Sequence, residues 1–306
     1  MDHKAFLSSL TPGQRAALLE LSDARGLWHL AGHLGAIGLC TTLIATGAPL
    51  WQAVMVLQGI LLVFLFTLLH ETSHHTPFKT RWLNTAIGHL CGFVLFLPAL
   101  WFRYFHLAHH RYTQIPGKDP ELAGPKPETW AAYLRHISGI PVWIGHGKTL
   151  IRNAIGHQRQ DFVPNARRAD IRIEARLYLL GYGLLAGLSL WQQTALPVFV
   201  WLIPLLLGQP FLRLYLLAEH GRCAFVANMF ENSRTTFTNQ LVRALAWNMP
   251  YHAEHHSYPA VPFHNLPRLH ALTKPHLAVT AKGYGAFNKD YISGFQGKPG
   301  TANPAP

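Results

Sequence analysis

The sequence predicts an all-α integral membrane protein with four transmembrane helices in two hairpins, re-entrant or interfacial helices between them, and a cytoplasmic cap carrying histidine boxes. Three observations predict it. Charged residues make up 13% of the 306 positions and hydrophobic ones 49%, against about 25% charged in an ordinary soluble domain. Two blocks almost free of charge each exceed the roughly 20 residues that one span requires. Most of all, the 20 histidines include three tight clusters. This composition excludes a disordered chain, a coiled coil and a typical cytosolic enzyme. The net charge of +12 raises nucleic-acid binding, but Lys and Arg flank the apolar blocks instead of forming a stripe interleaved with aromatics, so no nucleic-acid partner is expected. Cys40, Cys91 and Cys223 are too few and too scattered for a disulfide framework or a thiolate site, and read as small buried hydrophobes.

In chain order, residues 1–25 form an N-terminal cytoplasmic segment with a short amphipathic helix capped by Thr11 and begun by Pro12. It lacks the cleavage pattern of a signal peptide, so the first apolar run is expected to act as an uncleaved anchor. Between Arg25 and Lys79 the one charge is Glu71, and a stretch that long must fold back. Thr46-Gly47-Ala48-Pro49 supplies the turn, giving hairpin 1 over residues 27–69, with runs 27–45 and 50–69. Residues 70–176 hold two histidine boxes and interfacial segments. Within them, 82–102 is apolar and long enough to cross, but Asn84, His89 and Pro98 interrupt it, and crossing would put the boxes on opposite faces. It is therefore expected to be re-entrant or interfacial. Residues 130–157 mix Trp, Leu and Ile with Arg, Lys and His, as a helix lying among headgroups does. The second charge-free block breaks at Trp191-Gln192-Gln193-Thr194, placing hairpin 2 at 177–217. Residues 218–295 form the cap with the third box, and 296–306 are expected to be disordered. Neither tight turn contains Lys or Arg, whereas bases crowd the segment between the hairpins. Both termini and that segment are thus expected to face the cytoplasm, from an inner or cell membrane.

The boxes are His70-Glu71-Thr72-Ser73-His74-His75, His106-Leu107-Ala108-His109-His110 and His252-Ala253-Glu254-His255-His256. Residues three and four apart share a helix face, so His106, His109 and His110 project together, as do His252, His255 and His256, and as do His70 and His74. Clustered imidazoles suit Fe, Zn, Cu or Ni, and the near absence of thiolates and paired carboxylates argues against iron–sulfur clusters, Mg and Ca. Unligated, so many neighbouring imidazoles would be costly to desolvate. Isolated histidines such as His3, His33, His264 and His270 read instead as polar interface residues. His220, just past the fourth helix, adds a further ligand. With His70, His74 or His75, and the two later trios, the count suffices for two metals with open positions and exceeds what one tetrahedral zinc takes. Glu71, Glu219 and Glu254 each adjoin a proposed ligand and are candidates to orient an imidazole through its second nitrogen. Asn248 stands one helical turn before His252 if the helix extends that far, a position from which to hold a metal-bound water.

The three boxes in this order, together with Trp247-Asn248-Met249-Pro250-Tyr251 before the third and Tyr258-Pro259-Ala260-Val261-Pro262-Phe263 after it, resemble the membrane fatty acid desaturase family, whose relatives include alkane and carotenoid hydroxylases. The resemblance covers about residues 50–270. It implies a non-heme diiron centre, with two irons ligated by the boxes and O2 as co-substrate, that desaturates a fatty acyl chain; the alternative is a hydroxylase or ketolase of a lipid, alkane or carotenoid. It also makes His70, His74, His106, His109, His110, His252, His255 and His256 the catalytic set. The first box keeps His75 open beside His74, because some relatives use a five-residue step. No His-Pro-Gly-Gly heme motif occurs in the sequence, so electrons are expected from a separate ferredoxin, rubredoxin or cytochrome b5 type carrier with its reductase. An acidic carrier would dock near Arg111, Arg167, Arg168 and Arg172. Two other readings fit part of the pattern. His70-Glu71-Thr72-Ser73-His74 fits the H-E-x-x-H zinc protease pattern, but that reading leaves the other boxes without purpose. Metal transporters place ligands near the bilayer midplane, whereas these lie at span ends.

Overall fold

A computed structural model describes residues 1–296, so the tail expected beyond Gln296 lies outside the described residues. The regular structure of the described residues is helical apart from one parallel pair of two-residue strands, β1 (Thr235–Thr236) and β2 (Thr280–Ala281). The described residues divide into two compact units: 22–106 with 138–212, and 1–21 with 107–137 and 213–296.

The first unit contains the membrane hairpins. Helix α3 (Asp23–Ala45) follows the short N-terminal helices α1 (His3–Ser9) and α2 (Pro12–Leu18) of the other unit. It starts four residues before the apolar run because the Ser22 side chain accepts from the Arg25 amide and caps it. The chain then turns through Gly47 (φ 63°) and Leu50 (φ 63°), and α4 (Trp51–His74) returns. Where α4 meets the last span, main chains touch. A Cβ on Gly59 would stand 2.1 Å from the Pro204 carbonyl oxygen, and one on Gly208 would stand 2.2 Å from that of Gly59. Small residues permit such an approach, which is how helices pack where lipid offers no hydrophobic drive. The Gln58 side-chain nitrogen is satisfied beside this contact, donating to Thr41 Oγ1 and to the Val200 carbonyl, both at 3.0 Å.

The ambiguous apolar segment is two helices, α5 (Arg81–Val94) and α6 (Ala99–Tyr112), bent by 101°. Pro98 and Phe96 (φ 56°) mark the break. Asn84 and His89, expected as interruptions, lie inside α5. Asn84 ties the preceding loop, with its Nδ2 2.8 Å from the Phe78 carbonyl, and His89 pairs with Glu174 at 2.8 Å. Carbonyls in the last two turns of α5 also accept from side chains of other helices. Tyr178 donates to His89 O, Tyr182 to Phe93 O and Trp201 to Val94 O, at 2.8–2.9 Å. Such internal satisfaction is what a helix ending within apolar surroundings requires.

Residues 130–157 form α7 (Trp130–Ile137) and α8 (Ile140–Ala154), parted at Gly139 (φ 70°). Helix α9 runs over Arg168–Trp191, nine residues earlier than the boundary expected at 177. The charges there end an apolar run but not a helix: Asp170 suits the first turn, and buried Glu174 accepts from the Leu100 amide at 2.9 Å. After the turn at 192–197, a π-helical turn (Val198–Leu202) leads into α10 (Ile203–His220). Four helical stretches, Pro12–Ala45, Trp51–His74, Asn165–Trp191 and Val198–His220, are long and apolar enough to span. Helix α9 exposes Leu177, Leu184, Leu190 and Trp191 by 59–81%, a surface suited to lipid rather than water.

The second unit packs α7, the end of α10 and α15 (Tyr284–Ser293) around Tyr133, Leu217, Ala218, Phe287 and Tyr291. Between α10 and α15 come α11 (Met229–Asn232), α12 (Gln240–Leu245), α13 (His252–Ser257) and α14 (Leu266–Thr273). Buried Arg234 holds the last carbonyls of α10, donating to Ala218 O and to Gly221 O, while its guanidinium lies 4.5 Å from the Phe287 ring centre. Asn265 does the same for α2, bonding the Leu18 carbonyl at 3.0 Å.

Candidate metal centre

Helical spacing builds the first group of imidazoles. His70 and His74 lie one turn apart near the end of α4, and His106 faces them from α6, all in the first unit. The rings of His70 and His106 are 4.1 Å apart, and Nε2 of His74 stands 2.9 Å from Nε2 of His106. One ligating nitrogen from each of the three lies within 4.8 Å of the others. His75 is the residue that ends α4, with φ 59°, so the helix itself pairs His70 with His74. Burial, with Arg103 and Arg81 nearby, pushes the His75 pKa down to about 4.

The second group lies within the other unit. His109, His220 and His256, all buried, bring ligating nitrogens within 4.8 Å of one another. The Nε2 atoms of His109 and His220 are 3.2 Å apart, and that of His252 is 2.9 Å from His220. The His110 ring stacks on His256 at 4.0 Å and lies 4.9 Å from His255. His220, expected just past the fourth helix, is its last residue, held by α10 itself.

Groups behind these rings fix which nitrogen carries the proton. His109 Nδ1 donates to Asp119 Oδ1 at 2.9 Å, His220 Nδ1 to the Asn232 carbonyl at 3.0 Å, and His256 Nδ1 to Thr113 Oγ1 at 3.1 Å, whose own hydroxyl donates to His109 O. Glu219 Oε1 lies 3.3 Å from His252 Nδ1. With Nδ1–H committed outward, the Nε2 atoms of His109 and His220 both turn inward and stand 3.2 Å apart. Burial lowers the His109 pKa, but Glu121 and Asp119 outweigh it and raise it, so a proton on His109 Nε2 bridges the two rings as well as a metal ion would. Two lone pairs that close repel unless a proton or a metal ion lies between them. The spacing also lies within the reach of two imidazole nitrogens that would share one ion, each about 2.1 Å from it. Burial, reinforced by the neighbouring histidines, holds His256 well below its ordinary pKa and so neutral. The donor set therefore fits a transition metal that accepts imidazole, iron included.

The expected orienting groups divide. Glu219 stands beside the His252 ring rather than that of its neighbour in sequence, His220. Glu71 is buried on α4 and accepts from Thr76 Oγ1 at 3.0 Å. Glu254 accepts from Thr235 Oγ1 and from His270 Nδ1, both at 2.5 Å, which makes His270 a tether for the third box rather than an interface residue. The premise for Asn248 is not met: α13 begins at His252, Trp247 and Asn248 have φ 51° and 58°, and Asn248 Nδ2 donates to the Phe263 carbonyl at 3.0 Å. Asp119 was missed. It lies ten residues from His109, in a loop, and a single Asp after a Gly-Lys turn carries no pattern that separates it from a solvated one.

Apolar spans with buried imidazole clusters at their ends define a helical membrane protein with a histidine-built site. More particularly, the chain belongs to the fatty acid desaturase family, whose sequence profile matches residues 47–287. It is similar to the sn-1 oleoyl-lipid 12-desaturase of Picosynechococcus sp., at 26% identity over 84% of this chain and 79% of that protein. It is also similar to the dihydrorhizobitoxine desaturase of Bradyrhizobium elkanii, at 26% over 92% and 84%, and to the acyl-lipid (9+3)-(E)-desaturase of Dimorphotheca sinuata, at 24% over 74% and 67%. The protein is an oxidoreductase, and fatty acid desaturation in general is the activity its relatives indicate.

Proposed function

We propose that the protein converts a single to a double carbon–carbon bond in a fatty acyl chain, using two irons, one held by His70, His74 and His106 and the other by His109, His220 and His256, with His110, His252 and His255 completing the set. The irons, when bound, supply the O2-dependent oxidising power that an unactivated methylene requires, drawing two electrons from a separate carrier. The remaining work falls to the chain. Asp119 and the Asn232 carbonyl hold His109 and His220 in the tautomer that turns Nε2 inward, and burial of these rings keeps water from competing for the ligand positions. The boxes are assigned to the cytoplasmic face, where an acidic carrier would meet the exposed Arg167, Arg168 and Arg172.

The observation that carries this reading is the convergence of buried imidazole nitrogens, those of His109, His220 and His256 lying within 4.8 Å of one another. Its test is metal analysis of the purified chain together with lipid mass spectrometry of a host that expresses it. Iron near two per chain and new unsaturation are the expected results, with about half the iron and all of the unsaturation lost on His109→Ala. One zinc per chain, or unsaturation undiminished in the variant, would overturn it.

A further inference from the structure

Beside the first histidine group lies a pocket of about 300 Å³ lined from α4, α5, α6 and the start of α9. Its walls include three arginines, Arg81, Arg103 and Arg167, with Ser73, His75 and Tyr104 among the neutral groups, and no Asp or Glu among the described residues lines it. Arg167 is partly neutralised, its Nη1 2.9 Å from Asp170 Oδ2. Behind the pocket Glu174 is committed to His89 and the Leu100 amide. Arg103 donates to the Ser73 carbonyl, a neutral partner, and it feels the like charge of Arg81. Two guanidiniums thus converge on one concavity without a counter-charge, which stabilises an anion there. Setting orientation in a membrane requires bases on one side, but it does not require that they meet in a pocket. Arg103 precedes His106 by one turn, a rise of about 4.5 Å, so an occupant sits next to the ligands.

The geometry points to this pocket as the seat of the substrate's anionic head group, a carboxylate or a phosphate, with the acyl chain leading from it toward the histidines. The assignment rests on the acyl-chain reading above and names the class of substrate. Isothermal titration of the full chain in neutral detergent, read without turnover, tests it with octanoate, dioctanoyl phosphatidate, neutral dioctanoylglycerol and inorganic phosphate. The expected result is that an anionic amphiphile binds at least tenfold more tightly than dioctanoylglycerol, and that Arg81→Gln and Arg103→Gln each remove most of that preference. Exchange of an exposed base elsewhere, Arg268→Gln, leaves it intact. Octanoate or phosphatidate as the tighter ligand tells a free acid from a phospholipid. Equal binding of dioctanoylglycerol, equal binding of inorganic phosphate, or no effect of Arg81→Gln would overturn the assignment. A chain that binds the anion but leaves acyl chains saturated refutes the desaturase reading alone. One that desaturates yet ignores head-group charge refutes this assignment alone.

Discussion

Replacing Asp119 by Asn changes one atom and two interactions. In the wild-type chain Oδ1 accepts from His109 Nδ1 and from the Glu121 amide, both at 2.9 Å, and Oδ2 accepts from the Gln114 amide at 2.8 Å. Asparagine keeps one acceptor for His109 but sets an NH2 against the Gln114 N–H, donor to donor, in a site that is 5% exposed. Leaving that amide unsatisfied costs about 1–3 kcal/mol. Loss of the charge behind His109 weakens its metal about 10–100-fold, or roughly 1.4–2.7 kcal/mol. The assay is metal content after dialysis against a graded chelator series, beside a thermal melt of the metal-free chain followed by helix content. Burial pushes the Asp119 carboxyl up, but the His109 ring and the amides of Gln114 and Glu121 outweigh it and hold it below its ordinary pKa. A carboxyl depressed by folding stabilises in full above its unfolded value, near 4, and that contribution is lost as pH falls through the folded value. The melting difference between wild type and variant is therefore present at pH 7 and closes in acid below about pH 4. A variant that kept its metal at every chelator concentration and melted with the wild type at pH 7 would refute the role given to Asp119.

Four further outcomes are expected. His220→Ala removes the imidazole whose Nε2 approaches both His109 and His252, so about half the metal and all turnover should go while helix content stays; full metal retention counts against the grouping. Gly59→Ala must force α4 from the Pro204 carbonyl, an overpacking worth about 1–3 kcal/mol, and an unchanged melting temperature would contradict the contact. Asn84→Ala strips the buried Phe78 amide and carbonyl of a partner and should cost about 1–3 kcal/mol, measured by the same melt. Cysteines placed at 47 and 193 should label from one side of the membrane and those at 79 and 117 from the other; labelling of 79 and 117 from opposite sides would mean that the bent pair crosses.

What was legible in the sequence is what repeats locally. The turn at Gly47 and the break at Gln192-Gln193 stand out because Gly, Pro and amides interrupt apolar runs, and the boxes do because three- and four-residue spacing shares a helix face. What was not legible depends on distant contact. Asp119 acquires its role from a ring ten residues away, and His270 from a carboxylate on α13. The first nine residues of α9 were hidden because charge patterning marks where a chain leaves apolar surroundings, not where its helix starts. Asn248 failed because two successive left-handed residues, invisible in composition, end the helical phase before the third box.

The bare contact between Gly59 and Gly208 also acts as an index mark. Rotation of α4 about its own axis would drive a side chain into the opposing main chain, so its angular setting is locked there. His70 follows eleven residues later, about 16.5 Å along the axis and only about 20° beyond three full turns. A glycine buried in the apolar span thus clocks the direction in which the His70 imidazole points. Damage at that depth would present as a misaimed imidazole, an enzyme inserted and folded yet poor at holding its metal, with the lesion three helical turns from the symptom.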